Sequence, residues 1–447
     1  MKVEKLIAIT VIGYIIGPTN FGMAACPDTP ASNHRVIEDG LAASIMIGPL
    51  KKSNRPLAHH TMPNGTLSSV RISLERSLCR GSCPSYSIEL RGDGSALYTG
   101  KDFVLVTGQH AFEVSPETIQ CLLAQFRKAD FWSLNNSYIA PFYDSPKYQV
   151  TLMIGSHKKS VIDYVGLAVG MPKAVTALED EIDRIGANRW VYGDSKTLPS
   201  LRNEHFDFHS EAAATILANG AASAPDEVLF GLLAEGAPAT GRISIPFRSI
   251  NSPTAIEQAS GAGRTAIVQA LLAKGAFSAG PSDVREAALR RAASSGNPLV
   301  VEEILKYGPN VNAQDTDGNT ALINIWRARH RNDEKVGTDI AAVARLLLSA
   351  GADPNLQNEE GSTALHRATN ADVVQLLVKA GANLEIRNKY GATPLLSVEN
   401  DNAAIALIEA GADIAAKSNE GKTVEKYAIE YKFTKTLELL HSRLGKK

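Results

Sequence analysis

A few residues in this chain have types and spacings that could support chemistry. Cys79 and Cys83 stand three residues apart, followed by Pro84 and Tyr86. In an oxidising compartment two thiols so placed could pair. A zinc site would need further ligands, and no second paired-cysteine motif exists. A thioredoxin-like redox site needs a two-residue spacing that is absent here. The expectation is a Cys79–Cys83 disulfide, with Cys121, between Ile119 and Leu122, a free buried thiol. His205, Asp207 and His209 would share one face of a strand, where a metal site is conceivable. A hinge with Phe206 and Phe208 docked on the next unit is the preferred reading. His59-His60 reads as a solvated pair in a loop. Asp93, Asp144 and Asp163 are the candidate acids, and Asp93 is accounted for by a Gly92-Asp93-Gly94 turn. No G-x-S-x-G elbow, H-E-x-x-H helix or P-loop occurs. No catalytic residue, metal or cofactor is therefore expected.

The elements that must position these residues fall into two styles. Residues 68–195 read as strands with two segregated helices. Val70–Leu74 is strand-like, Tyr86–Leu90 alternates up to the Gly92-Asp93-Gly94 hairpin signal, and Ala96–Thr99 returns. Pro116–Lys128 is a helix with Ser115 as N-cap. Tyr148–Ile154 and Ser160–Tyr164 form a second hairpin, and Pro172–Ile185 a closing helix. That pattern gives an α+β domain of antiparallel strands with two helices. The run Ile72-Ser73-Leu74-Glu75-Arg76, Cys79-Arg80-Gly81-Ser82-Cys83-Pro84-Ser85-Tyr86 and Gly92-Asp93-Gly94 resembles the signature of a bacterial domain family of unknown function, often found in exported proteins. The resemblance brings no activity with it.

The last third repeats itself. Gly361-Ser362-Thr363-Ala364-Leu365 returns thirty residues later as Gly391-Ala392-Thr393-Pro394-Leu395, and Ala380-Gly381-Ala382-Asn383 as Ala410-Gly411-Ala412-Asp413. A fixed period in this range marks stacked supersecondary units. The wording resembles the ankyrin-repeat family, with Thr363-Ala364-Leu365-His366-Arg367-Ala368 as the nearest match. In that register Thr393 should N-cap a helix through its hydroxyl, Pro394 takes the first helical position, and Gly381 and Gly411 suit left-handed C-caps. His366 belongs to the hydrogen-bonded helix start. Carried backwards, the helix-ending glycines are Gly236, Gly275, Gly308, Gly351, Gly381 and Gly411. Eight and four residues before each lie the apolar pairs Val228/Leu232, Ile267/Leu271, Val300/Ile304, Val343/Leu347, Val373/Leu377 and Ala403/Leu407. This i, i+4 seam predicts an all-α ankyrin-repeat solenoid over 210–444, about six or seven repeats, with a polar insertion near 327–338. The last two full repeats are short and are expected to lack part of the turn between their helices. Residues 196–209 read as the hinge joining the two units.

Ahead of both units, residues 1–25 read as a secretory signal peptide: Lys2 and Lys5, an apolar run Leu6–Ile16, and small residues at Ala24 and Ala25. The run is shorter than the roughly 20 residues a membrane span needs. Met23-Ala24-Ala25-Cys26 resembles a bacterial lipoprotein box and makes Cys26 a candidate lipidation site. Residues 26–67 read as linker. A periplasmic or secreted protein of the bacterial envelope is expected, tethered to a membrane only through Cys26 or an uncleaved signal. A net charge of −1 gives no general attraction to nucleic acid.

The ankyrin resemblance implies protein recognition on a concave face of hairpin tips and first helices, with a protein as partner and no nucleic acid. Gln357, Glu359, Arg387, Lys389, Tyr390 and Lys417 are the candidate contacts at the tips; Tyr390 is the aromatic anchor, and Trp326 is either a second anchor or buried under the polar insertion. Two other classes stay open: an enzyme in the α+β domain with the repeats as its targeting arm, and an envelope inhibitor or immunity-type protein.

Overall fold

The structure is a computed structural model that describes residues 59–79, 83–142, 144–243, 252–278, 283–330 and 339–444. The expected signal peptide, most of the linker, Cys26 and much of the 327–338 insertion lie outside the described residues.

Seven strands make one sheet in the order β4-β3-β2-β1-β6-β7-β5. They are β1 (Val70–Arg76), β2 (Ser85–Arg91), β3 (Ser95–Asp102), β4 (Gly108–Glu113), β5 (Ser137–Ile139), β6 (Tyr148–Ile154) and β7 (His157–Tyr164). All neighbours are antiparallel except β5 and β7, so the sheet is mixed at one edge. The alternation read in the sequence is the pleat itself: Val70, Ile72, Leu74 and Arg76 are buried and Arg71 and Glu75 exposed. The β2–β3 turn uses Asp93 as expected. Its Oδ1 accepts from the Ser95 amide (2.9 Å) and hydroxyl (2.7 Å). Gly94 sits at φ 92°. Asp163, near the end of β7, holds the turn that follows, its Oδ1 accepting from Gly166 N at 2.7 Å.

Helix Pro116–Lys128 starts at Ser115, whose Oγ accepts from Thr118 N. It buries Ile119, Leu122, Leu123 and Phe126. Helix Lys173–Ile182 buries Val175, Leu178 and Ile182, and then loosens into a π-turn over Asp183–Ala187. A short helix Asn188–Val191 follows and brings Trp190 into the core with no exposed surface.

Residues 196–209 are not a free hinge. Thr197–Asn203 is a helix whose Thr197 and Leu201 are buried. Glu204 reaches back to β4, where its Oε2 lies 2.7 Å from His110 Nδ1, while Arg202 pairs with Glu235 of the first repeat at 2.5 Å. Inside the α+β domain Val106 N donates to Trp190 O (2.8 Å) and Leu105 N to Val191 O (3.0 Å), and the same segment makes contacts across the boundary. Asn219 of the first repeat donates to Val104 O and Leu105 O. His205 has φ 54° and the Asp207 carboxylate accepts from His209 N. The 205–209 segment is therefore a turn, and the strand face needed for a metal site does not form. Phe206 and Phe208 pack edge to face at 5.3 Å, with Phe208 buried as expected.

Among the described residues seven helix pairs follow. The second helices are Asp226–Glu235, Thr265–Ala273, Pro298–Leu305, Ile340–Ser349, Ala371–Lys379, Asp401–Glu409 and Thr434–Leu444. The seam residues of the first six of these helices, from Val228/Leu232 to Ala403/Leu407, are all between 0 and 1% exposed. The helix-ending glycines all have positive φ, from 64° at Gly308 to 105° at Gly236. This is the left-handed cap the sequence implies. The first helices are less regular than expected. Val284–Ser295 has twelve residues, whereas Ala364–Arg367 and Pro394–Leu396 are single 3-10 turns. The short repeats have lost most of the first helix, because Asn370 and Asn400 cap the second helices only three and four residues after these turns. The C-terminal pair, Val424–Glu430 and Thr434–Leu444, closes the stack with Phe433 and Leu440 buried.

Candidate protein-binding groove

The hairpin tips form by one local rule. The Asn358 backbone N–H donates to Ser362 O, Gly361 N donates back to Asn358 O, and the Asn358 side chain accepts from Glu360 N and Ser362 N. Asn388 repeats this thirty residues on. Neighbouring tips are then tied by backbone bonds, Glu359 N to Asp317 O, Lys389 N to Glu360 O and Asn419 N to Tyr390 O.

Two candidate contacts serve this framework. Gln357 donates to Gly361 O in its own hairpin and to Arg387 O in the next. Arg387 donates from one Nη1 to Gly391 O (2.6 Å) and Lys417 O (2.7 Å). Gln314 occupies the same register and makes the equivalent pair of bonds. These side chains are repeat-to-repeat staples before they are partner contacts. Glu359, Lys389 and Lys417 are exposed at the tips, as expected. Among the described residues Tyr390 is the most exposed large apolar side chain, at 69%. Trp326 is a correction: it is 5% exposed, and its indole N–H donates to Ala364 O at 2.8 Å, so it forms floor rather than a projecting anchor.

His366 is structural. Its Nδ1 accepts from Thr363 N (3.0 Å) and lies 2.9 Å from the Thr363 hydroxyl, while Nε2 donates to Ala392 O in the next repeat. Burial pushes its pKa down to about 4, so the ring stays neutral near pH 7. In the next repeat Leu396 replaces the histidine. The Thr393 hydroxyl is then buried without a partner and caps nothing, contrary to expectation, although Pro394 does open the turn.

Between the tips and first helices of the last four repeats, where those of the fifth and sixth are shortened, lies a hollow of about 530 Å³. Trp326, Ala392 and Leu396 line its floor and Tyr390 and Tyr427 its walls, with Arg327, Arg367, Glu360, Glu399, Glu420 and Lys422 around the rim. Tyr427 stacks on Tyr431 with centroids 4.6 Å apart, and Lys422 lies 5.1 Å over the Tyr427 ring. Sequence reasoning named Tyr390 and Trp326 here, with Glu360 and Glu420 as tip residues, and missed Tyr427, Arg327, Glu399 and Lys422. The one available signal was the thirty-residue spacing, which shortens the helices that would otherwise fill this space.

The α+β domain holds a second polar cluster, at the end of β1. Arg76 lies between Tyr86 on β2 and Tyr148 on β6, stacks 5.1 Å over Tyr148, and donates to the Tyr192 hydroxyl at 3.0 Å. Burial and then the nearby Asp183 raise the Tyr86 pKa well above the usual phenol range. Beside this cluster Cys79 and Cys83 form the expected disulfide. Cys121 is not the free thiol expected; it is disulfide-bonded as well. Among the described residues no group of three or more His, Cys, Asp or Glu is placed to hold a metal ion. No described helix is long and apolar enough to cross a membrane.

Comparison with known proteins agrees with this division. Residues 70–186 match the model of a domain of unknown function, DUF6438. Residues 289–388 and 334–418 match the model of ankyrin repeats in three copies. The chain thus carries an N-terminal domain of unknown function followed by ankyrin repeats, and such repeats point to protein–protein interaction. A stretch of 137 residues is 35% identical to E3 ubiquitin-protein ligase KEG from Arabidopsis thaliana, covering 23% of this chain and 8% of that relative.

Proposed function

We propose that this is an exported, non-catalytic binding protein that holds another protein on the concave face of its ankyrin stack. The observation that carries the reading is the hollow beneath Tyr390, where an exposed aromatic overhangs an apolar floor inside a charged rim. Recognition surfaces concentrate affinity on such aromatic anchors. The polar cluster of the α+β domain supports a structural role over an acid–base one. Tyr86 and Tyr98 are 1% and 0% exposed, and burial keeps both phenols protonated.

The bonded cysteines support export, since disulfides persist in oxidising compartments. Intact mass and non-reducing peptide maps of protein from the periplasm of its own host decide between soluble and lipid-anchored forms.

The binding reading is tested by affinity capture with the mature protein, followed by calorimetry with the purified partner. Tyr390→Ala should weaken binding by about 1 kcal/mol or more. If Tyr390→Ala binds like the parent while Tyr86→Phe abolishes binding, the α+β domain is the recognition surface and the proposal fails.

A further inference from the structure

The concave face changes character along the stack. In the third repeat the first helix, Val284–Ser295, runs twelve residues. In the fifth and sixth repeats it is a single 3-10 turn, and the residues that follow, Thr369, Ser397 and Glu399, line open space where further helix would lie. The result is a hollow rather than a flat groove, about 530 Å³, a size at which cavities enclose whole chemical groups. Its floor is apolar and already ordered: the Trp326 ring is pinned by its bond to Ala364 O, and Leu396 is 3% exposed.

The rim is bipolar. Arg367 is matched by Glu360 at 3.0 Å, and Lys422 is paired with Glu430. Arg327 at the fourth-repeat end and Glu420 at the seventh-repeat end both stand exposed, and Glu420 adds its negative charge beside the Lys422–Glu430 pair. A ligand crossing the hollow therefore meets positive charge at one end, an apolar depression with tyrosine walls in the middle, and negative charge at the other. Opposed charges at the two ends fix the direction in which a chain lies, and the depression selects one side chain.

Resting on the concave-face reading above, we propose that this hollow takes an extended protein segment of defined polarity. The segment inserts one bulky aromatic or branched aliphatic side chain onto the Trp326–Leu396 floor. It carries an acidic residue on the Arg327 side and a basic residue on the Glu420 side.

The test is a random peptide-display library panned on the full chain, with the enriched peptides synthesised and measured by calorimetry. The expected result is a shared pattern of one bulky residue between an acid and a base. Thr369→Trp places an indole in the hollow from a half-buried position and should weaken these peptides by about tenfold or more. Glu420→Lys is a surface change that leaves the hollow open, and it should select against peptides with the basic residue. Thermal melts verify that both variants fold. Lack of enrichment, enrichment without a bulky residue, or Thr369→Trp and Glu420→Lys that both bind the peptides like the parent overturns the proposal. A captured protein partner separates the two levels of inference. If Tyr390→Ala weakens it and Thr369→Trp does not, the concave-face reading stands and the hollow inference falls. If neither variant affects it, both fall.

Discussion

The two halves of this molecule are stabilised by contacts of opposite range. In the α+β domain β1 pairs with β2 on one side and with β6, more than seventy residues along, on the other. Its core closes only when distant segments meet. In the solenoid each helix pair meets its neighbours, and the hydrogen bonds between tips join residues one repeat apart, 30 from Gln357 to Arg387 O and 43 from Gln314 to Gln357 O across the insertion. The first arrangement is all-or-none, whereas the second is close to a sum of local terms. At the junction the two meet, because Glu204 bonds His110 in the layer of Trp190, His110 and Tyr98, and Asn219 of the first repeat bonds Val104 O and Leu105 O in the segment that Trp190 and Val191 hold. Trp190 and His110 stack at 4.5 Å.

Removing the cap is the largest expected effect. Truncation after Lys422 deletes the buried Val424, Ala428, Phe433 and Leu440 and bares the face of the sixth repeat. At roughly 1.5–3 kcal/mol for each large side chain, the loss is on the order of 5 kcal/mol. It should be confined to the repeats, so Trp326 fluorescence in urea should report it while Trp132 fluorescence does not. An unchanged Trp326 midpoint would mean that the last helix pair caps nothing.

Trp190→Ala comes next, at about 3–5 kcal/mol. Because the Trp190 layer is shared, Trp132 and Trp326 should both register the loss. Leu377→Ala costs about 2–5 kcal/mol at the seam and should move only the Trp326 signal. If the two substitutions give the same probe pattern, the contrast between closed domain and local stack is wrong.

Acid separates the halves through His366. Its folded pKa of about 4 lies below the ordinary value of 6.5, so between those pH values the unfolded chain binds more protons. Stability should therefore fall as pH drops from about 6.5 to 4, by at most about 3 kcal/mol, and level off below. The protonated ring loses its Nδ1 acceptor for Thr363 N. Urea melts at pH 7 and pH 4.5, read at Trp326, should show this loss in the parent and lack it in His366→Gln. Equal pH dependence in both proteins would remove His366 as the cause.

The smallest effects lie at the hairpin tips. Arg387→Ala removes two bonds to carbonyls, one of them in the neighbouring repeat, and should cost about 1 kcal/mol. Tyr390→Ala, at a position 69% exposed, should stay within about 0.5 kcal/mol. Thermal melts of the two variants side by side check the ranking, and a Tyr390→Ala loss as large as that of Arg387→Ala would make the tyrosine part of the framework.

Much of the solenoid was legible in the sequence, because its determinants are short-range and repeated. The apolar pairs from Val228/Leu232 to Ala403/Leu407 and the glycines that end each helix announce a seam and its caps without reference to the rest of the chain. The β2–β3 turn and the Ser115 cap were readable for the same reason. The groove was only half legible. Tyr390 stood out as an aromatic at a tip, yet Arg387 and Gln357 look like free surface until the next hairpin is placed beside them. The exposure of Trp326 depended on whether the Ala364 carbonyl lay within reach of its indole.

The sequence by itself determined what the repeating unit is, where each second helix ends, and that the N-terminal part is a sheet with helices. Each of these follows from propensities and periodicities that act over a few residues. Only the tertiary structure decided that residues 196–209 lock the two units together, that the Thr393 hydroxyl is left without a partner where Leu396 stands, and that the short first helices leave a hollow. Those outcomes depend on which atoms of separate repeats come within hydrogen-bonding or packing distance, and no local pattern in the chain encodes that distance.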